Sequence, residues 1–126
     1  MSAQTQNAGL ARMTSLISAA SFWLQWGTAG TGAAASANAV TTTSTTEARS
    51  SATMSQQTVT QTNDTLRAVA TITAAGTRAI TEVGAFDAVG SSSPPTGGNM
   101  DLYGSFTVIN LSTGDSIAFT INVTYT

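Results

Sequence analysis

The sequence predicts an all-β protein: an antiparallel β-sandwich or jelly-roll-like barrel with a short N-terminal helix or arm. Two observations favour this class. Apolar and polar residues alternate over several stretches of the second half of the chain, as in strands with one buried face. Clusters of Gly, Asn, Asp, Ser and Pro separate these stretches, which is typical of turns between strands. The predicted division is an N-terminal arm or helix over residues 1–24 and a single β-domain over residues 25–126.

The N-terminal helix is predicted from apolar residues that recur at helical spacing. These positions are Leu10, Met13, Leu16, Ile17 and Ala20. Asn7 is the predicted N-terminal cap. The segment is short and has no charge pairs, so it must pack on the body of the protein or dock on a neighbouring subunit.

The densest aromatic cluster of the chain follows this helix. In a short strand, Phe22, Leu24 and Trp26 would share one face and Trp23 would lie on the other. The cluster has two interpretations. These residues are either anchors of the core or an interface hot spot, in which Trp is enriched.

Two long loops interrupt the β-pattern. The first covers residues 27–46, with one strand predicted over Val40–Thr43. Its start, residues 27–32, is rich in Gly but lacks the Gly-Lys-Ser/Thr ending of a phosphate-binding loop, so it is interpreted as a turn. The second covers residues 87–99, and its Ser-, Pro- and Gly-rich tip at 90–98 is predicted to be exposed and irregular.

Five strands are predicted beyond the first loop. A mostly polar strand lies within Met54–Thr62, and Asn63 with Asp64 marks the turn after it. The other four cover residues 66–73, 79–87, 99–111 and 116–126. These four are predicted to pair in sequence order as a meander, in which residues 74–77 would join the first two as a hairpin. Gly104 is predicted to mark a bulge or a close approach.

The strand over residues 79–87 is predicted to lie at the centre of a sheet and has a carboxylate in its middle. Alternation places Glu82 on one face with Ile80, Gly84 and Phe86. If that face is buried, the carboxylate needs a partner, because a lone buried charge is costly. The candidate partners are Arg49, Arg67 and Arg78. We expect an ion pair that fixes strand register or a subunit contact.

The composition excludes most kinds of functional site. Only 8% of the 126 residues are charged, and Lys, His and Cys are absent. The chain therefore lacks the usual general base, cysteine nucleophile and thiolate or imidazole metal ligands. We expect no enzyme activity, no cofactor and no metal; a calcium site built on Asp87 and Asp101 is the one metal alternative. The net charge of −2 argues against nucleic acid, and no apolar run is long enough to span a membrane.

The small number of charged residues also indicates the kind of surface that this protein has. Free monomers usually keep a charged surface for solubility. A nearly neutral surface rich in Thr and Ser suits a protein that packs against copies of itself or against a scaffold.

Several motifs resemble a group of small structural proteins of tailed bacteriophages. In order, they are Gly27–Gly32, Glu47-Ala48-Arg49, Ile80-Thr81-Glu82-Val83-Gly84-Ala85-Phe86, Phe106 in an apolar strand, and Gly114-Asp115-Ser116. The likeness covers residues 25–126, and the Ile-Thr-Glu-Val-Gly-x-Phe strand is its most specific part. The resemblance implies a β-sandwich or barrel that forms a homo-oligomer, most plausibly a trimer.

This sequence departs from the group at two positions. The group commonly has a larger aliphatic residue at the position of Ala85. It also often carries an arginine before the phenylalanine of the penultimate strand, where this chain has Gly104-Ser105. If that arginine normally meets the strand glutamate, Glu82 needs another partner, and Arg49 is the predicted one.

The resemblance predicts a capsid decoration, or cement, protein on the outer surface of the phage head. Its partners would be the major capsid protein and further copies of itself. The alternative is a tail, baseplate or fibre module that binds a host surface. The candidate capsid or subunit contacts are Leu10, Met13, Leu16, Phe22, Trp23 and Trp26. The loop 27–46 is a further candidate contact, and the tip 90–98 would face solvent.

Overall fold

The computed structural model describes residues 1–29 and 46–126. The elements of these residues are α1 (Asn7–Ser18), β1 (Trp23–Gly27), β2 (Ser50–Ser51), β3 (Thr53–Gln57), β4 (Thr65–Thr73), β5 (Arg78–Phe86), β6 (Met100–Leu111) and β7 (Ser116–Thr124). The strands form two antiparallel sheets, one with the order β2-β1-β5-β6 and one with the order β3-β4-β7. This confirms the predicted β-sandwich with a short N-terminal helix. The sheets stay separate in the described chain, so the barrel alternative is wrong. The strand predicted at Val40–Thr43 lies outside the described residues.

The predicted meander is wrong in its pairing, although its four strands are present. β4 pairs with β3 and β7, whereas β5 pairs with β1 and β6. Only the predicted neighbours β5 and β6 form a hairpin. Residues 74–77 therefore cross from one sheet to the other. Alternation identifies the face that a strand buries, but it does not identify the neighbouring strand.

Two crossovers meet at one end of the sandwich. The turn Ser112–Asp115 carries the chain from β6 to β7, and residues 74–77 carry it from β4 to β5. The amide of Ala74 donates to the carbonyl of Asp115, and the amide of Gly114 donates to the carbonyl of Ala74, both at 2.8 Å. Gly114 has φ of +90°, which favours glycine. Ala74 is buried, so both of its backbone groups need these partners.

The core lies between the two sheets. Every second residue of β4 is buried, and Phe22, Leu24 and Trp26 face the same cluster from the other sheet. The predicted alternation in 66–73 and in the aromatic segment is thus confirmed. Trp26 is 1% exposed, and its ring meets that of Phe119 on β7 edge to face, with centroids 6.4 Å apart.

β5 is an inner strand, as predicted, but its two faces are not the predicted ones. The pairing of β5 with β6 shifts register between Ile80 and Glu82. Ile80 therefore packs in the core cluster with Val83 and Ala85 instead of sharing the face of Phe86. The extra residues lie on β6 between Ser105 and Ile109, the partners of Glu82 and Ile80, whereas Gly104 pairs with Val83 in register. A bulge breaks simple alternation, because it adds residues to one strand only.

Helix α1 packs on the three-stranded sheet through a polar contact. The hydroxyl of Thr14 is fully buried and donates to the carbonyl of Asn63 at 2.6 Å. The side-chain amide of Gln56 on β3 donates to the same hydroxyl at 2.7 Å and to the carbonyl of Ala11 at 2.8 Å. The predicted cap is wrong: Gln6 is the N-cap residue, and Asn7 instead donates its side-chain amide to Gln61.

Candidate functional site

The structure separates the six predicted contact residues into two groups. Leu10, Phe22 and Trp26 are each at most 5% exposed and lie in the interior. Their side chains are covered within the single chain, and Phe22 and Trp26 belong to the core cluster, as the interpretation of the aromatic residues as core anchors expects. Met13 and Leu16 are 41% and 68% exposed on α1, and Trp23 is half-buried on β1.

Met13 and Leu16 form an apolar face on the solvent side of α1, which we call the outer helix face. They stand three residues apart, so they are neighbours on the helix surface. The opposite face of the helix is fixed by the Thr14 and Gln56 hydrogen bonds. The fold thus presents two large apolar side chains on a rigid support.

The second cluster lies beneath the loop between β5 and β6. The Arg49 side chain is 6% exposed, and its guanidinium lies 3.6 Å from the centroid of the Phe86 ring. Its Nε donates to Oε1 of Gln25 at 2.8 Å. Its Nη1 donates to the carbonyls of Ala88 and Gly97, both at 2.8 Å. Burial lowers the pKa of Arg49, and the nearby charge of Asp87 opposes that shift.

The loop above Arg49 is more ordered than predicted. Ser91 and Thr96 exchange two backbone hydrogen bonds, and Pro95 is buried. Gln25 donates its side-chain amide to the carbonyl of Pro95 at 3.2 Å. The tip is therefore exposed at most positions but not irregular, because Gln25 and Arg49 hold its backbone carbonyls.

Glu82 is fully buried, and its carboxylate contacts a residue that was not among the predicted partners. The hydroxyl of Tyr103 on β6 donates to Oε2 of Glu82 at 2.6 Å. In residues 1–29 and 46–126, the carboxylate–guanidinium pair is Glu47 with Arg78, with Oε1 and Nε 3.0 Å apart. The structure does not bring Arg49 to Glu82, since the Arg49 guanidinium is turned toward Gln25 and the loop carbonyls.

Asp87 closes the loop between β5 and β6 with its side chain. Asp87 accepts the backbone amide of Asn99 at 2.7 Å and its side-chain amide at 2.8 Å. These bonds lower the pKa of Asp87, whereas burial and the charge of Asp87 raise the pKa of Asp101. Within the described ranges, no group of three or more acidic, His or Cys side chains is placed to hold a metal ion.

Asp64 closes the turn between β3 and β4. Its carboxylate accepts the backbone amides of Gln61, Thr60 and Val59 at 2.7–3.0 Å and the hydroxyl of Thr65 at 3.0 Å. The hydrogen bond from Gln61 contributes most to lowering the pKa of Asp64 to about 2. A pocket of about 230 Å³ lies beside this turn and is lined mainly by polar side chains of α1, its preceding residues and the turn, with Tyr125.

Replacing Asp64 by Asn is expected to change how stability depends on pH. The folded pKa is depressed, so the carboxylate stabilises the fold above the ordinary value of 3.8, and this contribution is lost as pH falls toward about 2. We expect Asp64→Asn to be less stable at pH 7 and to lose less stability than the wild type between pH 4 and pH 2, intervals chosen around the ordinary and folded pKa values. Urea denaturation across this range measures the difference, and parallel curves for the two proteins would contradict the assignment.

Comparison with known protein families, with curated proteins and with solved structures found no match. In the described part of the chain, no helix is long and apolar enough to cross a membrane. The resemblance to phage structural proteins thus stays a prediction.

Proposed function

We propose that this protein is a non-enzymatic virion structural protein that decorates the outer surface of a phage capsid as a symmetric oligomer. Its partners would be the major capsid protein and further copies of the same chain, and the expected oligomer is a trimer. The outer helix face, Met13 and Leu16, is the observation that carries the proposal. Single exposed apolar residues are common on any protein, but adjacent ones on a rigid helix suit a contact with another protein.

The composition supports the same proposal. A surface with few charges gives up little hydration energy when it is covered, because burying unpaired charges is the costly part of forming a contact. The exposed positions of β7 carry Ser, Ala, Thr and Asn and no charged side chain. Such a protein would adhere through many modest contacts, which an oligomer multiplies by avidity.

Replacing Met13 and Leu16 together by Ser is expected to weaken capsid binding without unfolding the sandwich. Each buried apolar side chain contributes about 1.5–3 kcal/mol, which corresponds to roughly a tenfold or greater loss of affinity per contact. The measurement is the number of copies bound to heads assembled from the major capsid protein of the same genome. Val59→Ser is the matched control, since Val59 is 66% exposed but lies on the turn between β3 and β4.

Wild-type occupancy by the double variant would contradict the contact assignment. Heads that lack the protein should also be less resistant to heat and osmotic shock. Unchanged resistance would contradict a clamping role. The copy number separates the alternatives, because a decoration protein covers the whole head and a tail, baseplate or fibre module is present in far fewer copies.

A further inference from the structure

One side of the sandwich is left open by the strand order. β6 is the last strand of the four-stranded sheet and β7 is the last strand of the three-stranded sheet. The turn Ser112–Asp115 joins them directly, so both edges lie on the same side, which we call the open side. In the described residues, no strand pairs with the outer edge of either β6 or β7.

The open side has few of the features that normally protect a strand edge. Proteins usually protect exposed edges with charged residues, proline, bulges or very short strands. Of these, β6 is bulged against β5 and has one charged residue, Asp101 near its start. Between residues 102 and 126 the only charged residue is Asp115, and there is no proline. The Asp115 carboxylate already accepts the amide of Ser112 inside its own turn. β6 and β7 are also long, at 12 and 9 residues.

Apolar side chains are incompletely covered along this side. The inward residues of β4 are buried, whereas Ile117, Ile121 and Val123 on β7 are only half-buried. Val108 and Ile109 on β6 are 48% and 39% exposed. Phe106 is half-buried beside Phe119, with ring centroids 5.9 Å apart. The core therefore reaches the surface between the two edges.

We propose that the open side is the surface through which copies of this chain associate, with the strand edges of a second copy as its occupant. A second copy fits this side because each edge presents alternating N–H and C=O groups, and β6 of one copy against β7 of the next gives the head-to-tail contact that a trimer needs. Identical copies also carry identical charges, and only Asp101 and Asp115 are charged along β6, the turn after it and β7, so little repulsion between like charges opposes the contact there.

The area of the open side matches that of a stable interface. A strand of 12 residues is about 40 Å long at about 3.4 Å per residue. Two sheets about 10 Å apart, with their side chains, give a strip about 20 Å wide. The product is about 800 Å² with the length of β6 and about 600 Å² with that of the shorter β7, close to the roughly 800 Å² that each partner contributes to an interface of standard size. The inference rests on the proposed function in one respect: the open side would be the surface that builds the oligomer of the decoration protein.

Light scattering coupled to size-exclusion chromatography of the full chain tests the inference. We expect the wild type to run as a multiple of 12.7 kDa at micromolar concentration. Val108→Lys on β6 and Thr120→Lys on β7 each place a charge beside an open edge and should yield the 12.7 kDa monomer. Both positions are exposed, so each variant should keep its far-UV spectrum, and either one suffices if the other does not fold. Val59→Lys, with the same charge at an exposed position away from this side, should remain oligomeric.

A monomeric wild type, folded edge variants that keep the oligomeric mass, or a control that dissociates like them would overturn the inference. Capsid binding separates its failure from that of the proposed function. A monomer that binds heads would leave the proposed function intact and refute self-association. If the wild type is an oligomer and the edge variants are monomers, but the protein never binds heads, self-association is supported and the proposed function is refuted.

Discussion

Replacing Arg49 by Ala is expected to lower the free energy of unfolding by about 3–5 kcal/mol, since it leaves one buried and two part-buried acceptors without a donor, and a buried one costs about 1–3 kcal/mol. The substitution removes the donor from Oε1 of Gln25 and from the carbonyls of Ala88 and Gly97. It also removes the stacking of the guanidinium on Phe86. Urea denaturation measures the global loss, and hydrogen exchange of residues 88–98 should show that the loop is released.

Arg67→Ala is the matched control. Arg67 is half-buried and makes one side-chain hydrogen bond, from its Nε to Oδ1 of Asn122 at 3.0 Å. Its removal should cost less than about 1 kcal/mol, as expected for an exposed polar contact. Arg49→Lys should lower the free energy of unfolding by less than Arg49→Ala but by more than Arg67→Ala. It keeps the charge, but an ammonium group lacks the planar fork that reaches several acceptors. Equal losses for Arg49→Ala and Arg67→Ala would show that the loop does not depend on Arg49.

Replacing Trp26 by Ala is expected to be comparably destabilising, by about 3–5 kcal/mol, because it opens a cavity at the centre of the core. Trp26 is fully buried and packs on Phe119 of the opposite sheet. In the described contacts its indole Nε1 has no hydrogen-bond partner. Trp26→Phe should therefore cost less than its loss of volume suggests, since it also removes an unpaired buried donor.

Thermal and urea denaturation of the two Trp26 variants measure these losses. Trp23→Ala is the control, because Trp23 lies on the same strand but is half-buried on the other face. We expect its effect to be smaller than that of Trp26→Ala. A larger effect for Trp23 would mean that the assignment of the two faces of β1 is wrong.

The strands could be predicted well because each depends on local alternation. The predicted stretches 66–73, 79–87, 99–111 and 116–126 match β4, β5, β6 and β7 to within one or two residues at each end. Their pairing could not be predicted, because residues 74–77 have the composition of a hairpin turn. The hydrogen bonds of Ala74 show why they cross over instead: the segment is tied to Gly114 and Asp115, some 40 positions along the chain.

The Arg49 cluster could not be predicted because its members are distant in sequence and two of its acceptors are backbone carbonyls. Gln25 and Ala88 lie 24 and 39 residues from Arg49. A carbonyl leaves no signal in a sequence, so the sequence offers only carboxylates as partners for Arg49, and Glu82 is the predicted one. The contact of Glu82 with Tyr103 could be predicted once β5 and β6 are paired. Gly84 lies opposite Tyr103, so Glu82 is the diagonal neighbour of Tyr103.

The strand order also affects how the chain reaches its fold. β4 takes its place beside β7, and 59 residues separate Thr65 from its partner Thr124. Pairings between such distant segments make folding slow, because a long loop must close before contacts repay the lost entropy. During synthesis, β4 leaves the ribosome well before its partner exists. One edge of β4 can therefore pair early with β3, while the other must wait exposed for β7, so the growing chain is most prone to mispairing in that interval.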